Sequence, residues 1–168
     1  MGNTNITLYY FEQSGYIPNH SFFPAVLYRK AVDNSKDNFE SIFKSNNWTN
    51  SWRDGVFNFH HYHSNTHEVI GVRKGSGLLI IGGEGGSKIV LNSGDVLILP
   101  AGTGHKKLSS SPDFEVVGAY PFGEEYNLKK DRKEDLEGVH EEIANALYPE
   151  ADPIHGDKGP LVRIWREA

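Results

Sequence analysis

The chain has 168 residues, the usual length of one domain, and carries a formal net charge of −5. Acidic residues outnumber basic ones by 22 to 17, so a broad basic face for nucleic acid is not expected. Cysteine is absent, which excludes disulfide scaffolds, thiolate zinc sites, iron–sulfur clusters and cysteine nucleophiles. No run approaches the roughly twenty apolar residues that span a bilayer, and the N-terminus lacks the features of a secretory signal. We therefore expect one cytoplasmic domain, residues 1–168, without nucleic-acid or membrane partners.

Short runs rich in β-branched and aromatic residues, bounded by Gly, Pro, Asn or Ser, predict a mostly β, all-β type fold. The predicted strands are residues 8–11, 25–30, 56–62, 67–74, 77–81, 87–91, 95–99 and 114–120. In the central part of the chain they follow one another about every ten residues, which favours a sandwich or barrel over βαβ units. The glycine-rich residues 82–86 lack the Lys-Ser/Thr pair of a phosphate loop, so we predict a hairpin turn there.

Two helices are predicted beside these strands. Residues 35–44 place apolar side chains three and four positions apart, which indicates a short amphipathic helix. Residues 131–148 begin with Asp131 and Glu134, spaced as in a capping box, and continue with an apolar stripe. The stripe consists of Leu136, Val139, Ile143 and Leu147. The predicted architecture is a barrel core at about residues 52–122, an N-terminal strand extension at 5–33, and a C-terminal amphipathic helix and tail at 131–168.

Four of the eight histidines fall within residues 60–67. Alternate side chains of a strand share one face, so a strand here would place His61 and His63 side by side. Phe57 and Phe59 would lie deeper on the same face and fill the bottom of the barrel. Two adjacent imidazoles at the mouth of a barrel are typical of a metal site.

Two further side chains extend this candidate metal site. Glu68 opens the next strand and can supply a carboxylate oxygen, and His105 follows a turn rich in Pro and Gly and can supply a third imidazole. His67 should face away from Glu68 if the strand is regular, but a turn at residues 64–66 could rotate it towards the metal. We favour Glu68 as the ligand, with His67 as the alternative.

The first part of this pattern matches a known family motif. Gly55, His61, His63, Glu68 and Gly75 have the spacing G-x5-H-x-H-x4-E-x6-G, with no mismatch. This is the first motif of the cupin family, which the sequence resembles.

The second cupin motif, G-x5-P-x-G-x2-H-x3-N, is matched by Gly94, Pro100, Gly102 and His105. Ser109 stands where the motif ends in Asn, a position that is not a metal ligand in the family. Together the two motifs cover about a third of the chain. The resemblance implies a double-stranded β-helix, or jelly-roll, barrel and a divalent metal held by the three histidines and the glutamate of the motifs.

Segments outside the motifs are similar to a narrower group, the YjlB-like single-domain bacterial cupins. These segments are residues 15–19, 51–53, 60–72, 117–121, 152–156 and 159–161. They spread over nearly the whole chain and imply an RmlC-like barrel. Because cupins usually pair through sheet edges, and an uncovered edge is a liability, we also expect a homodimer.

The resemblance implies a divalent metal ion (zinc, iron, nickel or manganese) and an unidentified small-molecule substrate inside the barrel. A metal-dependent oxygenase, isomerase or lyase would use this site. The alternative is a non-catalytic cupin that binds or senses a small ligand and whose metal is structural, because one fold hosts many functions.

An enzyme would need a group that moves protons, and His67 and Tyr62 are the candidates. His60 and Tyr62 occupy the outward positions of the strand, whereas Tyr120 and Trp165 are expected to be packing residues. Among the cations Arg73, Lys106 and Lys107, one could bind an anionic part of a substrate. We expect at least two of these three to be solvated charges outside the barrel.

Overall fold

The computed structural model describes residues 5–168. The expectation that the chain has no secretory signal rests partly on the first four residues, which lie outside this range. Its strands, in chain order, are β1 (Ile6–Tyr9), β2 (Ala25–Tyr28), β3 (Trp48–Asp54), β4 (His61–Tyr62), β5 (Glu68–Lys74), β6 (Ser76–Ile81), β7 (Ser87–Asn92), β8 (Val96–Leu99), β9 (His105–Ser110), β10 (Glu115–Pro121) and β11 (Lys129–Lys130). One antiparallel sheet has the order β1-β2-β8-β5-β10-β3, and the other has the order β11-β4-β9-β6-β7. The two sheets form the barrel of a cupin fold, which confirms the predicted fold class.

Short helices cover parts of this barrel. They are α1 (Phe39–Ser45), a single 3₁₀ turn (Lys133–Leu136), α2 (Val139–Ala144) and α3 (Pro160–Arg166). No helix within residues 5–168 is long and apolar enough to cross a membrane.

The apolar core has separate layers inside and outside the barrel. Ile70 and Val72 of β5 point inwards with Leu79 and Leu97, whereas Val69 points outwards to a second cluster beneath α1 and α3. Because both faces of β5 are covered, the strand is nearly continuously apolar rather than alternating. A third cluster, beneath α2, includes Tyr62 and Ile143.

Glycine lets α1 lie close to the six-stranded sheet. Gly71 faces outwards from β5, and a Cβ added there would lie 2.5 Å from the ring of Phe39. The helix begins after Asn38, whose side-chain oxygen accepts a hydrogen bond from the Ser41 N–H at 2.9 Å. It therefore starts four residues later than the predicted helix at 35–44, because Asn38 supplies the cap.

The predicted strand at residues 56–62 is shorter than expected. Only His61 and Tyr62 form β4, because the chain bends at residues 58–59. Phe57 is consequently 50% exposed instead of filling the bottom of the barrel. The prediction that Phe57 and Phe59 form the barrel's floor was wrong, since strand alternation does not continue through a bend.

The predicted helix over residues 131–148 was also wrong in extent. Gly138 adopts a left-handed conformation with φ of 70°, which separates the 3₁₀ turn from α2. Asp131 does not cap a helix, since its carboxylate accepts a hydrogen bond from the Tyr16 N–H at 2.8 Å. Of the expected stripe, Val139 and Ile143 are buried, whereas Leu147 is 49% exposed.

Helix α3 was not predicted as a separate element. Pro160 occupies its first turn, which suits a residue with a fixed φ and no N–H. Leu161 and Trp165, four residues apart, are the side chains it buries, and the Trp165 indole N–H donates to the Pro24 carbonyl at 2.9 Å. Trp165 is thus a packing residue, as predicted.

Candidate metal centre

Three imidazoles converge on the inner face of the five-stranded sheet. His61 of β4 lies directly opposite His105 of β9, with ring centroids 4.0 Å apart, and His63 follows two residues after His61. One ring nitrogen from each can be chosen so that all three lie within 4.8 Å of one another, and all three residues are buried. This is the one such cluster of metal-ligating side chains found within residues 5–168.

Backbone carbonyls set the tautomer of each ring. Nδ1 of His61 lies 3.0 Å from the carbonyl two residues before it, and Nδ1 of His105 lies 3.1 Å from the corresponding carbonyl. Nδ1 of His63 bonds to the Asn127 carbonyl. A carbonyl can only accept, so each Nδ1 donates its hydrogen and the neutral ring keeps a lone pair on Nε2. Metal-binding histidines are held in this way in proteins generally.

Glu68 faces the same point. Its Oε1 lies 3.4 Å from Nε2 of His63 and 3.2 Å from Nε2 of His105, yet this buried oxygen has no hydrogen-bond donor within residues 5–168. Its Oε2 accepts a hydrogen bond from the Tyr120 hydroxyl at 3.0 Å. A buried carboxylate oxygen without a donor is costly. Three imidazole nitrogens and one such oxygen fit a divalent cation of the zinc, iron, nickel or manganese type.

The charges of the site favour binding of a cation. Burial, and then the proximity of His105, lower the pKa of His61 to about 2, so this imidazole stays neutral. Burial alone would raise the pKa of Glu68, but its interactions with His63 and His105 hold that pKa well below the usual range. Burial opposes protonation of His63 as well, but the Glu68 charge outweighs it and raises the pKa of His63. The glutamate is therefore ionised and ready to bind a metal.

A cavity of about 400 Å³ opens beside these side chains, and aromatic rings line its walls. The Trp52 indole N–H donates to the Tyr120 hydroxyl at 2.7 Å, and Tyr126 stacks on Tyr120 with ring centroids 4.8 Å apart. Tyr120 was expected only to pack, but it also links Trp52 to Glu68 and lines the cavity. Trp52 and Tyr126 were missed because Trp52 lies in β3, which was not predicted as a strand, and Tyr126 lies in a loop without a motif.

Two asparagines fix that loop over the metal centre. The Asn127 N–H donates to Oδ1 of Asn65 at 3.0 Å, and Oδ1 of Asn127 accepts from the Ser64 N–H at 2.9 Å. The Asn65 side-chain amide in turn donates to the Glu125 carbonyl at 2.6 Å. These bonds hold the Asn127 carbonyl against His63. No sequence signal identified this role, because the partners are about sixty residues apart.

The two candidate proton-moving residues lie away from the cavity. The His67 ring packs on the outer face against Trp165, at 4.8 Å between centroids, and its Nδ1 accepts from the Ala101 N–H at 2.9 Å. The turn at residues 64–66 does not rotate it towards Glu68. Tyr62 is buried beneath α2 and donates to the Asp135 carbonyl at 3.1 Å.

Two of the three candidate cations lie outside the barrel, as predicted. Arg73 forms an ion pair with Glu115. Lys106 lies opposite Ile80 on the outward side of β9, whereas Lys107 lines the cavity. His60 also points outwards, as predicted, and bonds to Glu84 at 3.0 Å.

Comparison with known proteins identifies the family of this chain. The family model of the cupin domain (Cupin_2) matches residues 54–112. The chain is 46% identical over 159 residues to the uncharacterized protein YjlB of Bacillus subtilis (strain 168), covering 94% of each chain. The TDP-fucose-3,4-ketoisomerase WlaRA from Campylobacter jejuni is 18% identical over 55% of this chain and 74% of its own, with a TM-score of 0.44.

An acireductone dioxygenase from Bacillus anthracis, with a cadmium ion in its active centre, is 20% identical over 54% of this chain and 59% of its own, with a TM-score of 0.37. The match to the cupin domain and the near full-length similarity to YjlB establish the family. The chain belongs to the YjlB-like single-domain cupins.

Proposed function

We propose that His61, His63, Glu68 and His105 hold one divalent metal ion and that the protein is a metal-dependent enzyme acting on a small molecule in the cavity. The observation that carries this proposal is the convergence of three buried imidazoles and one carboxylate oxygen that has no donor within residues 5–168.

The position of the cavity favours catalysis over a structural metal. A structural zinc is enclosed by its four protein ligands. Here the cavity of about 400 Å³ touches all four side chains, so a five- or six-coordinate ion would keep open positions towards it. When bound there, the ion would polarise a substrate oxygen or, if it is redox-active, support oxidation.

Tyr120 is the residue we propose to hold a proton beside the site. Burial, and then the charge of Glu68, raise the pKa of Tyr120 well above its usual value, so the hydroxyl remains a donor. It orients Glu68 by donating to Oε2, and Trp52 orients it in turn. Tyr120 takes this role in preference to His67 and Tyr62, because neither of those rings lines the cavity.

The test combines element analysis with a search for turnover. We expect about one divalent ion per chain in the wild type and in His60→Ala, and almost none in His61→Ala. Protein reconstituted with iron, manganese, nickel or zinc is then incubated with pools of small metabolites, and mass spectrometry follows substrate loss. Conversion that disappears in His61→Ala supports an enzyme. Stoichiometric binding without conversion under every metal would support the non-catalytic cupin instead.

We also propose that the protein is a homodimer. Strand β1 forms one edge of the six-stranded sheet, and its Ile6 and Leu8 side chains are 36% and 38% exposed. An exposed apolar edge strand favours pairing with a second chain. Light scattering at micromolar concentration should give about twice the 18.8 kDa of one chain, and a mass of 18.8 kDa would contradict the proposal.

A further inference from the structure

The cavity contains a lysine that the metal centre does not use. Lys107 lines the cavity wall and is half-buried. It takes no part in the ion pairs found within residues 5–168. A half-buried ammonium group that forms no ion pair is available to an anion that enters the cavity.

Strand pairing shows on which side of the barrel wall Lys107 lies. His105 and Lys107 pair with Ile81 and Leu79, both of which belong to the interior core. Cross-strand partners share a face, so both side chains point into the barrel. Residues two apart in a strand are separated by about 6.6 Å. Lys107 is therefore attached to the same wall as His105, one strand repeat further along it.

The other charged groups on the cavity wall already have partners. Arg53 pairs with Glu40 at 2.5 Å, on the side of β3 that faces α1. Asp54 is exposed, and its carboxylate accepts a hydrogen bond from the adjacent Gly55 N–H at 2.7 Å. A bound divalent ion is only half neutralised by the single charge of Glu68, and the charges of Lys107 and Asp54 cancel. The cavity therefore keeps a net positive charge. That charge favours an anionic ligand.

The remaining wall is aromatic. Trp52, Phe57, Tyr120 and Tyr126 line the cavity. Tyr120 and Tyr126 stack on each other, with ring centroids 4.8 Å apart and 23° between their planes, so each ring holds the other in place. Aromatic rings held in this way bind planar, unsaturated organic groups by face and edge contacts.

We infer that the cavity takes a small planar organic carboxylate. Oxygen atoms at one end of the ligand bind the metal ion, and a carboxylate at its other end binds the ammonium group of Lys107. The inference rests on the proposed metal centre and adds the class of substrate. It makes Lys107 the residue that selects anionic ligands, and it assigns no such role to Lys106.

Two synthetic probes test this inference on zinc-loaded, full-length protein. 4-Carboxybenzohydroxamate carries a metal-chelating hydroxamate at one end of a flat ring and a carboxylate at the other, and 4-carbamoylbenzohydroxamate is its neutral analogue. Calorimetry at pH 7.5 should show at least tenfold tighter binding of the carboxylate probe to the wild type. Lys107→Met keeps most of the apolar stem and should reduce this preference to less than twofold. Lys106→Met, the matched control on the outer face, should keep the preference.

The outcomes separate this inference from the metal proposal. Equal binding of both probes to the wild type, equal losses in the two lysine variants, or binding of neither probe to protein with verified zinc would overturn the role of Lys107. His61→Ala should bind neither probe, because the hydroxamate needs the ion. If His61→Ala bound both probes as the wild type does, the metal centre itself would be misplaced, whatever the lysine variants showed.

Discussion

Two groups of histidines differ in which backbone group faces Nδ1. The inner group, inside the barrel, is His61, His63 and His105, and the outer pair, on its outside, is His20 and His67. Inside, Nδ1 of His61 and of His105 donates to a carbonyl, which leaves Nε2 with a free lone pair. Outside, Nδ1 of His67 accepts from an N–H at 2.9 Å, and Nδ1 of His20 accepts from two N–H groups at 3.1 and 2.9 Å. In these neutral rings the proton must therefore be on Nε2.

This difference separates ligands from packing residues of the same type. A ring whose Nε2 carries the proton cannot donate a lone pair to a metal from that atom. The outer pair packs among Phe23 and Trp165, and burial lowers the pKa of His67 to about 3 and that of His20 to about 4. Clustering of histidines alone does not predict a metal site. The polarity of the hydrogen bond at Nδ1 distinguishes the two groups.

The largest effect should come from substituting Glu68, with a substitution of its neighbour His67 as the comparison. Glu68→Ala removes a ligand and should lower metal affinity by more than a hundredfold, beyond the ten- to hundredfold typical of supporting residues. His67→Asn keeps an acceptor for the Ala101 N–H and should lower metal affinity less than tenfold. Titration of apo protein with zinc against a competing chelator measures both. The opposite order would mean that His67 turns inwards when metal binds.

The second prediction couples the inner site to stability. A metal that binds only the folded chain stabilises it by roughly 2.7 kcal/mol when free metal is a hundredfold above Kd. For a domain of this length that is a change in Tm of roughly 5–10 °C. Chelator should therefore lower the Tm of the wild type at pH 8 by several degrees. It should leave the Tm of His61→Ala unchanged, because that site is already empty.

The pH dependence of the chelator effect follows from the ligand protons. Metal binds only neutral imidazoles. The pKa of His63 is raised in the folded protein, so protons compete with the metal as pH falls through a value above the ordinary 6.5. The effect should be large at pH 8 and much smaller at pH 5. A wild-type Tm that does not move at pH 8 after verified metal removal would show that metal binding and folding are not coupled.

Features that depend on local periodicity or motif spacing were predictable from the sequence. The inward faces of His61, His63 and Glu68 follow from the family motif, and the separation of Lys106 from Lys107 follows from strand alternation. Strand β3 was missed because Trp48–Asp54 is mostly polar and half-exposed, so it lacks the apolar run of a buried strand. It is ordered by pairing with β10, more than sixty residues later in the chain.

Features that depend on distant partners were not predictable. The helix at residues 131–148 is divided because Gly138 is left-handed and Asp131 bonds to the Tyr16 N–H. Tyr126 belongs to the cavity because Asn65 and Asn127 tie its loop to the metal centre. The direction of each Nδ1 hydrogen bond has the same origin, since it depends on which backbone group the fold brings to the ring.

The smallest effect concerns the outer pair and tests whether those rings stay neutral. Folding lowers the pKa of His20 to about 4, whereas an unfolded histidine has a pKa of about 6.5. The unfolded state therefore takes up a proton first as pH falls. Stability is complete above pH 6.5 and is lost as pH falls towards about 4. Because the ring is only partly buried, we expect the loss from this residue to be roughly 1 kcal/mol over that window.

His20→Asn isolates this contribution. Its side-chain oxygen can accept the N–H groups of Phe22 and Phe23 that Nδ1 of His20 accepts, but it does not titrate. In metal-free protein, Tm should fall between pH 7 and pH 5 by about 1–2 °C less in His20→Asn than in the wild type. The matched control is His140→Asn, which should behave as the wild type because His140 is exposed on α2. If His20→Asn lost as much Tm as the wild type, the outer ring would already be protonated in the folded protein. The contrast between the two histidine groups would then rest on position alone.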